Sequence, residues 1–156
     1  MKKFTHFLHY NMATCFGVGR SPFAPGTMGS LACVVLVWLF FPTNWLLQLL
    51  VAVALTGMSI FSGGWLAIAE GDKDPSMVVS DELAGQWITF MWLPLGMAHD
   101  YKVLIVGFLL FRIFDIWKPW PANRLEQLPG GFGITLDDVA AGIYANIILQ
   151  VWLRFF

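Results

Sequence analysis

From residue 21 through residue 69 the chain carries not one charged side chain. A soluble domain cannot be built that way, because its surface positions recur every few residues and about a quarter of its residues are charged. Here charged residues make up 12% and hydrophobic ones 58%, with a mean hydropathy of +0.68. Further uncharged runs cover residues 83–99, 103–111 and 139–153. A chain of 156 residues cannot cover that much apolar surface by folding on itself, so the expected environment is a lipid bilayer.

The expected fold is therefore all-α. It is a polytopic membrane bundle of about five embedded helices, over residues 29–41, 45–68, 83–97, 103–117 and 139–156, forming a single domain over residues 1–156. Several of these runs are shorter than the roughly 20 residues of a straight crossing, so their flanking turns must extend into the interface or the bilayer must thin around them. Five crossings place the N-terminus, residues 70–82 and residues 118–138 on one side. Lys2, Lys3, Arg20, Lys73, Arg112, Lys118 and Arg124 fall on that side, against Lys102 and Arg154 on the other. The bias toward positive charge marks the first side as cytoplasmic, and the expected location is a bacterial-type inner membrane.

Residues 1–16 hold charges and a polar-interrupted stretch in place of a continuous apolar core, so no cleaved signal is expected. Phe4, Phe7, Leu8, Met12 and Cys15 recur at helical spacing, which suits a helix lying in the interface. Cys15 and Cys33 have neither zinc nor disulfide spacing and read as packing residues. The net charge of −1 leaves no basic patch for nucleic acid, and nothing in the sequence points to a protein partner.

Nine of the ten acidic residues lie in residues 70–82 and 115–138, both opening onto the cytoplasmic side. Carboxylates are costly near hydrocarbon and are usually functional there. Four segments carry the candidate chemistry. Residues 17–30, Gly-Val-Gly-Arg-Ser-Pro-Phe-Ala-Pro-Gly-Thr-Met-Gly-Ser, form a glycine-rich entry in which Gly26, Thr27 and Ser30 can donate to phosphate or cap the first helix. Asp81 and Glu82 open the third apolar run, and Gln86 follows Glu82 by one turn. Arg112, Asp115 and Lys118 recur at i, i+3, either as a neutralising ladder or with Asp115 on a metal and the two cations on phosphate oxygens. Asp137 and Asp138 follow a Gly-Gly-Phe-Gly turn.

A helix cap accounts for one carboxylate at a helix start. Doubled carboxylates at two helix starts fit a shared hard-cation site better. Asp81, Glu82, Asp115, Asp137 and Asp138 could supply the one or two ligands per ion that Mg²⁺ prefers. Neither cysteine sits in a Cys-x₅-Arg setting, no Asp-x-Asp-x-Thr segment occurs, and His6, His9 and His99 have no mutual metal spacing.

In this order the segments resemble the phosphatidylglycerophosphatase A family. The resemblance rests on Pro25-Gly-Thr-Met-Gly-Ser30, on Asp81-Glu82 with Gly85, on Phe111-Arg-Ile-Phe-Asp-Ile-Trp-Lys-Pro-Trp-Pro121, and on Gly130-Gly-Phe-Gly-Ile-Thr-Leu-Asp-Asp-Val-Ala-Ala-Gly142. It implies a Mg²⁺-dependent membrane hydrolase that takes the terminal phosphate from phosphatidylglycerophosphate. Asp81, Glu82, Asp115, Asp137 and Asp138 would be its acidic core. Two rivals stay open at this point. A lipid-headgroup transferase would use the same carboxylates with an alcohol acceptor. A small carrier would hold cargo on its intramembrane charges, usually near the midplane between repeated halves.

Overall fold

Helix boundaries in this chain follow local backbone chemistry. The computed structural model describes residues 2–155, and among them there is no strand. Met1 and Phe156, the outer ends of the expected interfacial segment and of the last expected crossing, lie outside the described residues. The helices are α1 (Lys2–Ala13), α2 (Pro25–Phe40), α3 (Trp45–Glu70), α4 (Ser80–Thr89), α5 (Tyr101–Trp117), α6 (Ala122–Leu125) and α7 (Gly131–Trp152). Tight 3₁₀ turns lie at Val18–Arg20 and Met97–His99.

Proline at the first position starts α2. Asn44 caps α3 by accepting from the N–H groups of Leu46 and Leu47 at 2.9 and 3.2 Å, and Gly71 ends it in the left-handed region with φ 69°. Asp100 caps α5 through the Lys102 N–H at 2.8 Å. The expectation that Thr27 or Ser30 caps the first helix is not met. Because α2 starts at Pro25, both lie inside it, and Ser30 Oγ donates to the carbonyl of Gly26 at 3.0 Å.

Two helices, α3 and α7, are long and apolar enough to cross a membrane. α2 and α5 have 16 and 17 residues. The third expected crossing is corrected most: residues 83–97 do not form one helix, and α4 has only 10 residues. It ends before Pro94 and Gly96, the breakers visible in the sequence, because side-chain amides capture the chain there. Asn146 Nδ2 on α7 donates to the carbonyls of Thr89 and Met91 at 2.9 and 2.8 Å, and Gln150 Nε2 donates to Met91 at 3.0 Å. Gln48 on α3 accepts from the Trp92 N–H at 2.8 Å. Non-helical backbone in an apolar protein must find such partners, since an unpaired buried peptide group costs several kcal/mol, roughly.

The distribution of side chains is inverted relative to a soluble bundle. Leu50 and Val53 on α3, Ile105 and Leu109 on α5, and Ile147 and Val151 on α7 are exposed. Ser59, Ser62, Ser80, Gln86, Thr135 and Asn146 are buried. Ser80 Oγ donates to Ser59 Oγ at 3.1 Å, and Ser59 shares a 2.8 Å hydrogen bond with Thr135, tying α4 to α3 and α7. Such hydroxyl contacts and small residues join helices where no hydrophobic force separates them from lipid. α4 makes its largest interface with α7, and a Cβ on Gly142 would overlap the Gly85 carbonyl. α1 packs on α3, with His9 stacked on Trp65 at 5.1 Å. Phe4, Phe7 and Leu8 stay exposed. The Ala13 carbonyl accepts from the Val79 N–H at 2.9 Å, bracing the chain that enters α4.

Candidate active site

The beginnings of α2, α4 and α7 and the end of α5 meet at one end of the bundle. They enclose a cavity of about 300 Å³ whose walls include Gly26, Thr27, Asp81, Glu82, Arg112, Asp115, Lys118, Asp137 and Asp138. All four sequence segments thus contribute to one space. Ser30 stands behind the wall, fully buried, within 3.4 Å of Arg112 Nη1. The helix-start explanation of the carboxylates holds for one pair and not the other: Asp81 and Glu82 do lie in the first turn of α4, where the helix dipole favours acids, whereas Asp137 and Asp138 lie beyond the first turn of α7. α4 has no side-chain cap, and α7 begins at Gly131, well before Asp137 and Asp138.

The five acids expected as ligands divide into two sets. Asp81, Glu82 and Asp138 each offer an oxygen, and these oxygens lie within 4.8 Å of one another. Asp81 Oδ1 and Glu82 Oε2 are buried with no hydrogen-bond partner. Asp115 and Asp137 are instead ion-paired. Arg112 Nη1 reaches Asp115 Oδ2 at 2.6 Å, and Lys118 Nζ reaches Asp137 Oδ2 at 2.8 Å and Glu126 Oε1 at 3.1 Å. The i, i+3 ladder is half formed. Lys118 ends α5 in the left-handed region (φ 47°), which turns its side chain toward α7. A non-glycine residue held there stores strain of the kind that gathers at functional sites.

Electrostatics follows the division. Burial pushes the Glu82 carboxyl up to about 7, with Asp115 adding to the rise and Arg112 opposing it. Burial, then the neighbouring Glu82, raises Asp81 well above the usual carboxylate range. Burial works against the charge of Lys118, yet Asp137 and Glu126 outweigh it and hold the ammonium firmly protonated. Packed carboxylates without a counter-cation resist ionisation. Three oxygen donors so arranged suit a hard divalent cation, which satisfies the unpartnered atoms and favours the ionised form. Gly26 belongs to the same construction: a Cβ there would overlap Glu82 Oε1.

Sequence reasoning passed over three participants. Asp74 and Ser76 line the cavity, and burial raises the Asp74 carboxyl while Lys118 lowers it. Both lie in a polar connection with no motif around them. Glu126, the second partner of Lys118, is equally unmarked except as the lone acid between residues 115 and 137.

Fold and site together define a helical protein with an apolar exterior and a carboxylate-lined, cation-bordered cavity at its end. The chain belongs to the phosphatidylglycerophosphatase A family, whose sequence profile matches residues 11–153. Among its relatives, phosphatidylglycerophosphatase A of Escherichia coli is 39% identical over 139 residues, covering 88% of this chain and 79% of that protein. The protein of the same name from Haemophilus influenzae is 35% identical over 150 residues, covering 91% and 88%. A protein of Bacteroides thetaiotaomicron, named provisionally as a phosphatidylinositol-3-phosphatase, is 40% identical over 149 residues, covering 93% of each chain. No solved structure gives a significant match. Membership places the protein among the phosphatases of phospholipid metabolism.

Proposed function

We propose that this protein hydrolyses the terminal phosphate of phosphatidylglycerophosphate, giving phosphatidylglycerol and inorganic phosphate, with Mg²⁺ as cofactor. The observation that carries the reading is the pairing, in one cavity, of a buried three-carboxylate cluster with the Arg112 and Lys118 cations. Asp81, Glu82 and Asp138 would hold the cation; Asp115 and Asp137 would orient Arg112 and Lys118. Bound there, Mg²⁺ supplies charge neutralisation and Lewis acidity.

The chain's own groups do the rest. Arg112 and Lys118 take phosphate oxygens and stabilise the charge that builds up on them in the transition state. Gly26 and Thr27, at the cavity wall, complete the phosphate cradle, and Ser30 supports Arg112 from behind it. Water attacks phosphorus, a carboxylate among Glu82, Asp137 and Asp138 accepts its proton, and the phosphorus–ester bond breaks as that proton passes to the departing oxygen, which becomes the terminal hydroxyl of phosphatidylglycerol. The lipid tails stay in the bilayer while the headgroup reaches the cavity. In this reading α2, α3, α5 and α7 are embedded around the enclosed α4, with the cavity at the cytoplasmic face. Localised charge at one end and the absence of a visible repeat favour an enzyme over a carrier.

The relative named for an inositol lipid supports a second headgroup. Phosphate release from phosphatidylglycerophosphate and from phosphatidylinositol 3-phosphate in micelles, with Mg²⁺ and with chelator, tests both. Chelator-sensitive release from the first substrate supports the proposal, release from the second alone reassigns the headgroup, and release from neither rejects both.

A further inference from the structure

Gln86 is the polar side chain that neither the packing nor the proposed reaction accounts for. It is fully buried, and neither its amide nitrogen nor its amide oxygen has a hydrogen-bond partner. The other buried amides are satisfied. Gln48 donates to the Pro42 carbonyl at 2.8 Å and accepts from Trp92 at 2.8 Å, and Asn146 donates to two carbonyls. Leaving such a group unpaired is costly, and an apolar side chain of equal size would avoid the loss. A native protein that keeps the amide needs a reason for it.

The reason lies one turn away. Gln86 follows Glu82 at i+4 on α4, so the two share a helix face with Cβ atoms about 5–6 Å apart. Glu82 Oε2 is itself buried and unpartnered. Unpartnered donors and acceptors at that spacing are what an enclosed water satisfies, typically with about three hydrogen bonds. We propose that Gln86 is a positioning residue that holds a buried water against Glu82 Oε2 and so fixes that carboxylate in the cluster with Asp81 and Asp138. Gly26 walls the other oxygen of Glu82, leaving the Gln86 side as the one that needs a restraint. The inference rests on the reading of those three acids as the cation site.

The test uses the full chain in detergent and two apolar variants, Gln86→Met and Gln86→Leu. Thermal unfolding is followed across a Mg²⁺ titration, alongside phosphate release. The metal-free variants should melt close to the wild-type temperature, since an apolar side chain of similar size replaces the amide and the water it holds together. Their Mg²⁺-induced stabilisation should need about 10–100-fold more cation, the range seen when an outer-shell partner of a metal ligand is lost, and kcat should fall. Stable variants with the wild-type Mg²⁺ midpoint and kcat would overturn the role of Gln86. A wild type whose melting ignores Mg²⁺ would instead overturn the cation site beneath it. Should neither variant fold, a structure of the wild type that resolves ordered water decides: water between Gln86 and Glu82 supports the inference, and a direct Gln86–Glu82 bond or a dry void overturns it.

Discussion

Asp138 and Asp137 are adjacent on one helix and line one cavity, yet the structure treats them differently. Asp138 joins Asp81 and Glu82 in a cluster that holds no cationic side chain, while Asp137 is locked to Lys118 at 2.8 Å. The same contrast separates Glu82 from Asp115, which is held by Arg112 at 2.6 Å. An ion-paired acid has its counter-charge, whereas buried acids without one are stable only as long as they keep protons or gain a cation. On the proposed reading, acid count therefore overstates the cation site, and the paired acids would serve the cations they hold.

The largest expected effect comes from the unpaired set. Asp138→Asn should reduce phosphate release to background while leaving the metal-free protein as stable as the wild type or more so, because it removes a buried acid that has no counter-charge and resists ionisation there. Activity assay and thermal melting together check this, and a large loss of stability would mean that the cluster is a structural network.

Removing a paired cation should act in the opposite sense. Lys118→Met should lower kcat by about 10²–10³-fold, the usual loss of a transition-state donor. It should also destabilise the fold by stranding Asp137, a cost that Lys118→Met with Asp137→Asn recovers without restoring kcat.

The metal-free protein should also respond to pH. Glu82 titrates near 7 when folded and near 4.5 when unfolded, so the folded state holds the extra proton between those values. Stability should fall as pH rises through that window, by up to about 1.4 kcal/mol per unit for this one group, and Asp81 and Asp138, which burial raises in the same direction, should deepen and extend the decline. Saturating Mg²⁺ should remove the decline. Melting curves across pH with and without chelator check the sign. The smallest effect belongs to Glu126→Gln. That acid is about half exposed, at 46%, so its ion pair contributes roughly 1 kcal/mol or less, and a several-fold change in kcat is the ceiling expected from steady-state assays.

Much of this was legible in the sequence because charge in an oily chain is sparse. The uncharged runs gave the helical architecture, and the four segments that line the cavity stood out by their carboxylates, cations and glycines. The start of α2 at Pro25 and the ten-residue α4 were not legible. The first depends on a single left-handed residue, Ala24. The second depends on Gln48, Asn146 and Gln150, which read as ordinary polar residues until they are seen on the carbonyls and N–H groups they satisfy. The split among the five acids was hidden for a similar reason. It depends on the turn at Lys118, which directs the ammonium to Asp137 and Glu126 when sequence spacing pointed to Asp115.

The most direct test of that split is equilibrium Mg²⁺ binding to the metal-free protein in detergent, compared among the wild type, Asp138→Asn and Asp115→Asn. The account predicts binding by the wild type and by Asp115→Asn, with binding lost in Asp138→Asn. Binding that survives in Asp138→Asn but vanishes in Asp115→Asn would contradict it.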